Sequence, residues 1–257
     1  MTPITTNILR ADYRRGNFSY GNPSADRKIV LIGSCRIVPL LNFFRVYNSL
    51  NGDTFQLKCY NPVEMWDGPG HEISEGVNRI LNGHQMGHAD YLICEHAQNC
   101  GVLNTVRTSE QNIYDSLGFT ADVEIRLPNW NFIHIYDAET ASYDKEGYGK
   151  LPHDERIASL RERTANSKEL FLSHCRKCSF PEMEQWASDN WLTTRLGWTS
   201  NHPSYVIAQK LFDFIAEKIG ITVTPELKRH PLYVNDAYQS TCTVLNTLDY
   251  EANGWKF

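Results

Sequence analysis

No run of apolar residues in the chain approaches the roughly 18 that a membrane-spanning helix requires. Its opening, MTPITTNILRADYRRGNFSYG, has no apolar centre of the kind a secretion signal needs, so a cytoplasmic chain without an integral membrane segment is expected. A basic excess is missing too: 25 Lys and Arg stand against 30 Asp and Glu, for a net charge of -5, which excludes the phosphate-tracking surface of a nucleic-acid binder. The seven cysteines are odd in number and scattered through 257 residues, so they form no disulfide framework and read as reduced, mostly buried thiols. No G-x-G-x-x-G or Walker A segment occurs, and nicotinamide and nucleotide-hydrolysis chemistry lose their usual support. There is no internal repeat and no Pro/Ser-rich linker, so a single domain over 1–257 is the simplest expectation.

What is there is a succession of short apolar runs. Lys28 to Gly33 is continuously apolar after its first residue, as expected of a strand covered on both faces. Between Pro39 and Leu50, Leu40, Leu41, Phe44 and Tyr47 recur at helical spacing. Thr54 to Tyr60 reads as a second strand, Ile73 to Leu81 as a helix and Asp90 to Glu95 as a third strand. Strand alternating with helix implies an α/β fold, a three-layer α/β/α sandwich around a central parallel sheet of flavodoxin-like kind. A fourth strand is expected at Asn131 to Ala138, and a helix over Asp154 to Leu172 with Ile157, Leu160 and Leu170 inward. Pro181 to Trp191 suits another helix. The strongest helical pattern follows TSNHP: Val206, Ile207, Leu211, Phe214, Ile215 and Ile219 share one face, and Gly220 ends it. Residues 222–257, with short strand-like pieces and many aromatics, read as a C-terminal extension serving as a lid or as an interface with a second copy.

Ligands of open parallel sheets bind at the carboxyl ends of the strands. There the first run ends in Gly33-Ser34-Cys35-Arg36. A thiol at the N-terminus of the next helix, with a neighbouring guanidinium, is in the field that favours a thiolate. The plainer alternative makes Gly33 a tight turn, Cys35 filler and Arg36 a solvated charge. His202, in WTSNHPSY, precedes the amphipathic helix, where Pro203 suits the first turn and Ser200 or Asn201 can cap it. An imidazole fixed at a rigid element's edge suits general-base work, although packing against Trp198 or Tyr205 would also account for it. His174, Cys175 and Cys178 lie close together in SHCRKCSF, but no second Cys-x-x-Cys completes a four-ligand zinc set, and no metal is expected. His84 and His88 lack the H-E-x-x-H pattern and read as surface residues.

The pairing of GSCR after the first strand with SNHPS before the last long helix resembles the SGNH (GDSL-like) hydrolase superfamily, and within it most resembles the WcbI-type capsular polysaccharide biosynthesis proteins. In the former a Gly-Asp-Ser block ends the first strand; in the latter a Gly-Asn-Cys-Gln turn stands at the same place. The resemblance runs from about Lys28 to Gly220. It implies that Cys35 stands where the superfamily has its nucleophilic serine, Ser34 where it has an aspartate, and His202 at the base. Thr199 occupies the position of the usual third-member aspartate. A Cys-His pair can work without that carboxylate because a thiol ionises more easily than a hydroxyl. The superfamily's oxyanion donors fall here on the Cys35 N–H, on Gly68 or Gly70, and on Asn99 or Asn104, of which Asn99 is nearer the strand end.

The activity so implied is transfer of an acyl group, acetyl from coenzyme A by the WcbI-type resemblance, onto a sugar hydroxyl of a surface or capsular polysaccharide. Catalysis would fall to Cys35, His202 and Asn99, with Ser34, Arg36, His96, Ser200 and Asn201 contacting coenzyme or saccharide. The same residues would serve an esterase or deacetylase that gives the acyl group to water. A noncatalytic protein holding coenzyme A or a glycan is the reading that Thr199 favours.

Overall fold

The computed structural model describes residues 8–12, 17–33, 37–60, 88–95, 120–128, 148–198, 202–234 and 245–257. Among these residues six strands form one sheet: β1 (Ile8–Asp12), β2 (Asn17–Tyr20), β3 (Arg27–Ile32), β4 (Phe55–Tyr60), β5 (Ala89–Glu95) and β6 (Ala121–Leu127). Their spatial order is β1-β2-β4-β3-β5-β6. The four strands β4-β3-β5-β6 run parallel, while β1 and β2 pair antiparallel with each other and β2 pairs antiparallel with β4. The hairpin is antiparallel because only four residues join its strands, too few for a parallel crossover. This is the expected α/β class, a mostly parallel central sheet flanked by helices, with an antiparallel addition at one edge. Ile29, Val30, Leu31 and Ile32 are all fully buried, so both faces of β3 are covered.

The chain divides into two compact units: residues Met1–Asn129 with Leu211–Asn235, and Trp130–Lys210 with Asp236–Phe257. In the first, helix α1 (Val38–Asn51) returns the chain from β3 to β4. Its Phe43 and Phe44 meet the ring of Phe212 edge-on at 5.4 and 5.1 Å, and Tyr233 lies 4.4 Å from Phe43. Asn48, fully buried on α1, uses both ends of its amide on one residue: Nδ2 donates to the Phe55 carbonyl at 2.7 Å, and Oδ1 accepts from the Phe55 N–H at 3.0 Å. Gly21, at φ +85°, leaves room for this clamp, since a Cβ there would stand 2.2 Å from the Phe55 oxygen.

In the second unit, helix α2 (His153–Lys177) buries Ile157, Leu160, Thr164, Ser167, Phe171, His174 and Cys175. From Ile157 to His174 these fall alternately three and four residues apart and make one stripe, with Cys175 beside it. Leu170 falls off that stripe and is 46% exposed, so the expected inward role passes to Phe171 and Leu172. Helix α3 (Glu182–Asn190) agrees with the expectation from Pro181. Helix α4 (Tyr205–Ile219), whose residues from Leu211 onward belong to the first unit, also agrees, with Phe212 fully buried and Val206 and Phe214 only partly so. Among the described residues after 222, three short helices stand where strand-like pieces were expected. They are α5 (Pro225–Arg229), whose cap Thr224 accepts from the Leu227 N–H, α6 (Pro231–Val234), and α7 (Thr247–Asn253), which has a reciprocal Asn246/Asp249 capping box. The first two belong to the first unit; α7 belongs to the second and packs Ala252 and Leu248 on Ile157 and Leu160. The expected helix at Ile73 to Leu81 and strand at Asn131 to Ala138 lie outside the described residues.

Candidate active site

The strand order locates the sheet's ligand crevice. From β3 the chain passes through α1 to β4 on one side; from β4 it then crosses to β5 on the other side of β3. That reversal makes the carboxyl ends of β3 and β5 a topological switch point, where the connections diverge and leave a crevice. Ile32 and Cys94 pair there, and Gly33 and Glu95 are the last described residues of the two strands. Ser34, Cys35 and Arg36 follow Gly33 directly in the sequence, and His96 and Asn99 follow Glu95; all five lie outside the described residues, as do Asn104, Gly68 and Gly70.

The described rim has a definite chemistry. Gly33 is glycine because the space beside its Cα is taken: a Cβ would stand 2.6 Å from Cγ2 of Ile37 and 3.1 Å from both Cβ and Oε2 of Glu95. Ile37 is the cap position of α1, where no side chain caps the helix and no acidic residue occupies the first turn. The helix dipole there favours an anion. Glu95, with no exposed surface, is the carboxyl-bearing residue packed against Gly33. The sequence reading missed it, because a single terminal Glu after ADYLIC looks like the polar end of a strand.

His202 is described, half-buried, in the second unit. Its backbone is held in a small antiparallel bridge between Gly197 and Pro203: the Trp198 N–H donates to the His202 carbonyl at 2.8 Å, and the Ser204 N–H to the Leu196 carbonyl at 2.9 Å. Arg195 clamps the other side of this loop, donating from Nε to the Gly197 carbonyl at 2.9 Å and from a terminal nitrogen to the Trp198 carbonyl at 3.0 Å. Its guanidinium carbon is 5.1 Å from the centre of a Trp198 ring. The sequence reading missed this residue as well; a cation three residues before a Trp gives little notice of such a turn. Ser200 and Asn201, expected as caps of α4, and Thr199 lie outside the described residues. The helix starts at Tyr205, and the Ser204 carbonyl takes the first intrahelical bond from Ala208 at 3.3 Å. The cap position is therefore Ser204.

The cysteines of SHCRKCSF have a structural setting. Cys175 and Cys178 are buried; the Cys178 thiol donates to the carbonyls of Cys175 at 3.1 Å and Phe180 at 3.3 Å. Burial pushes the Cys178 thiol up to about 11 and the Cys175 thiol higher still. Among the described residues no three metal-ligating side chains converge. His88 is exposed and lies 3.1 Å from the Asp122 carboxylate; His84 is outside the described residues.

These features define an α/β protein with a mostly parallel sheet whose strand order reverses between β3 and β5. Among solved structures, the chain is similar to WcbI, described as a novel polysaccharide biosynthesis enzyme in its native form without a disulfide bond between coenzyme A and one of its cysteines. The identity is 16%, the match covers 86% of this chain and 81% of that one, and the TM-score is 0.49. A likeness that loose assigns no role to any residue. No protein-family model matches the chain, and no curated protein does either. Among the described residues no helix is long and apolar enough to cross a membrane.

Proposed function

We propose that this protein is an O-acyltransferase that moves an acyl group, acetyl from coenzyme A, to a sugar hydroxyl in the biosynthesis of a surface or capsular polysaccharide. The observation that carries the reading is the switch point. The segment containing Cys35 leaves β3, the segment containing His96 and Asn99 leaves β5, and these two strands pair side by side where open α/β sheets bind ligands. The resemblance of GSCR and SNHPS to WcbI-type proteins supplies the reaction class and the coenzyme.

In this reading Cys35 is the nucleophile and His202 the base. The thiol proton passes to the imidazole, the thiolate attacks the acetyl carbonyl, and the amide of Asn99 with the Cys35 N–H stabilises the oxyanion. Collapse expels the coenzyme A thiolate, which takes the proton from the imidazolium. The sugar hydroxyl then attacks the thioester while His202 accepts its proton, and Cys35 leaves as the thiolate. Ser34, Arg36, Ser200 and Asn201 are the proposed contacts to coenzyme and saccharide, and the cytoplasm, where acetyl-coenzyme A is made, is the proposed location.

Turnover of acetyl-coenzyme A, measured with and without a panel of glycan acceptors, tests the proposal. Acceptor-dependent release of free coenzyme A with acetylated glycan is the expected result. Release without acceptor identifies a hydrolase, and binding without release a noncatalytic protein. Retained transfer in Cys35→Ala overturns covalent catalysis at that residue.

A further inference from the structure

We propose that His230 is a pH-sensitive latch: its neutral imidazole caps helix α6, which seats Tyr233 in the core of the first unit, and protonation of the ring opens that cap. His230 alone separates α5 from α6, and both helices lie in the first unit. Its carbonyl accepts from the Tyr233 N–H at 2.9 Å, and its ring Nδ1 accepts from the Leu232 N–H at 3.2 Å. A side chain that caps a helix start accepts in this way, usually through a hydroxyl or an amide oxygen. Here the acceptor is a group that titrates. A helix of four residues has little stability of its own, so α6 rests on this cap, on Pro231 in its first turn and on Tyr233. The Tyr233 side chain is buried, with its ring 4.4 Å from that of Phe43 on α1 and 6.2 Å from that of Phe212 on α4.

Only an imidazole nitrogen without a proton can accept, so the Leu232 bond requires the neutral ring with its proton on Nε2. In the imidazolium both nitrogens are donors, and an Nδ1–H would meet the Leu232 N–H head on. The ring also stands at the C-terminus of α5, which favours a cation, and at the N-terminus of α6, which opposes one. Two dipoles so short offset each other, and the hydrogen bond decides. The charged groups on the described elements packed around α6 are directed to other partners or to solvent. On α5, Glu226 pairs with Arg229 at 3.4 Å, and Lys228 with Asp213 of α4 at 3.8 Å. On α1, the Arg45 guanidinium is 4.8 Å from the centre of the Tyr20 ring on β2 and Tyr47 packs 5.7 Å from Phe55, while Glu217 and Lys218 of α4 are exposed. Burial pushes the Tyr233 hydroxyl up and the His230 ring below its ordinary 6.5. The latch is therefore closed at neutral pH, and the stability it contributes is lost as pH falls from 6.5 through the lower value of the folded ring.

Nitrogen-15 spectra of the His230 ring and amide hydrogen exchange test the latch. At neutral pH the ring should carry its proton on Nε2. Between about pH 7.5 and about pH 4.5 the protection of the Leu232 and Tyr233 amides, corrected for intrinsic exchange, should fall by about fivefold, the effect of one lost helix cap, while that of Phe43 holds. The midpoint of the fall should coincide with the titration of the ring. His230→Asn supplies a capping oxygen that does not titrate, so its protection should stay level across the range. His230→Ala, with no acceptor, should show the low protection at both ends. A neutral ring with its proton on Nδ1 overturns the proposal, as does a wild-type fall of less than about twofold, or a fall of equal size in His230→Asn. Both wild-type readouts stand should a variant not fold. Neither needs a substrate, so failure of acyl transfer bears on the proposed function alone.

Discussion

Replacing Arg27 should weaken the sheet at the edge opposite the crevice and leave the crevice chemistry intact. Arg27 opens β3, and its guanidinium is 4.6 Å from the centre of the Phe55 ring on β4 and 5.0 Å from that of Tyr91 on β5. It donates to the Tyr91 hydroxyl at 2.6 Å and also to the Ile219 carbonyl at the end of α4, where a cation is favoured by the helix dipole. Two hydrogen bonds from a charged donor contribute about 1.5–3 kcal/mol each when buried, and each ring contact about 0.5–1 kcal/mol. Arg27 is only half-buried, so the lower ends apply. Arg27→Ala should cost about 3–4 kcal/mol. Arg27→Lys keeps one charge and one donor direction and should cost about 1–2 kcal/mol. Because the chain forms two compact units, a single melting curve would mix them; hydrogen exchange of the β3 and β5 amides reads the first unit alone. There the Ala variant should exchange roughly 150- to 700-fold faster, at tenfold for each 1.4 kcal/mol. Less than a threefold change at those amides would refute the account, and so would equal acceleration of the α2 amides.

Arg195→Ala removes both carbonyl contacts that clamp the loop carrying His202, so the Trp198 amide should exchange at least about tenfold faster while α2 is unchanged. On the proposed function its kcat should fall by about tenfold with little change in KM, and Arg195→Lys should restore only part of it. Cys178 is held protonated by burial, with its folded value raised from an ordinary 9.0 to about 11. The stability that follows from this is complete below pH 9 and is lost as pH rises toward 11, so Cys178→Ala should flatten the alkaline fall in urea stability across that window. The same burial makes Cys59, Cys94, Cys175 and Cys178 slow to alkylate at pH 6 in the folded protein, and mass spectrometry should find Cys35 modified first if it is the nucleophile.

The elements legible in the sequence were those whose burial is continuous or strictly periodic: β3, α1, β4, β5 and α4 agree with their expected bounds within two residues. β6 was not, because ADVEIRL alternates charge with apolar residues and leaves Asp122, Glu124 and Arg126 on an edge strand's second face. The hairpin β1–β2 was hidden by its shortness and by the arginines around it. The C-terminal helices did announce themselves, with Thr224-Pro225 and the Asn246–Asp249 box, but their abundant aromatics drew the reading toward strands. Of the candidate site, the switch point follows from the spatial strand order, which the succession of apolar runs along the chain does not give. Glu95 and Arg195 were not legible either, since nothing in a neighbouring sequence distinguishes a buried or clamped polar side chain from a solvated one.

The Asn48 clamp on Phe55 bears on how the chain acquires its shape. An amide side chain here plays the part of a neighbouring peptide group, and it does so across only seven residues of sequence. Closing so short a loop costs little chain entropy, so β4 can be held at the end of α1 before any distant strand arrives, in the manner of contacts that speed folding. It also fixes the length of the connection. With Asp53 in a left-handed conformation at φ 55° and its N–H bonded to the Asn48 carbonyl at 2.8 Å, the turn has no slack, and a residue inserted between 49 and 54 would move Phe55 out of the amide's reach and slide β4 against β3.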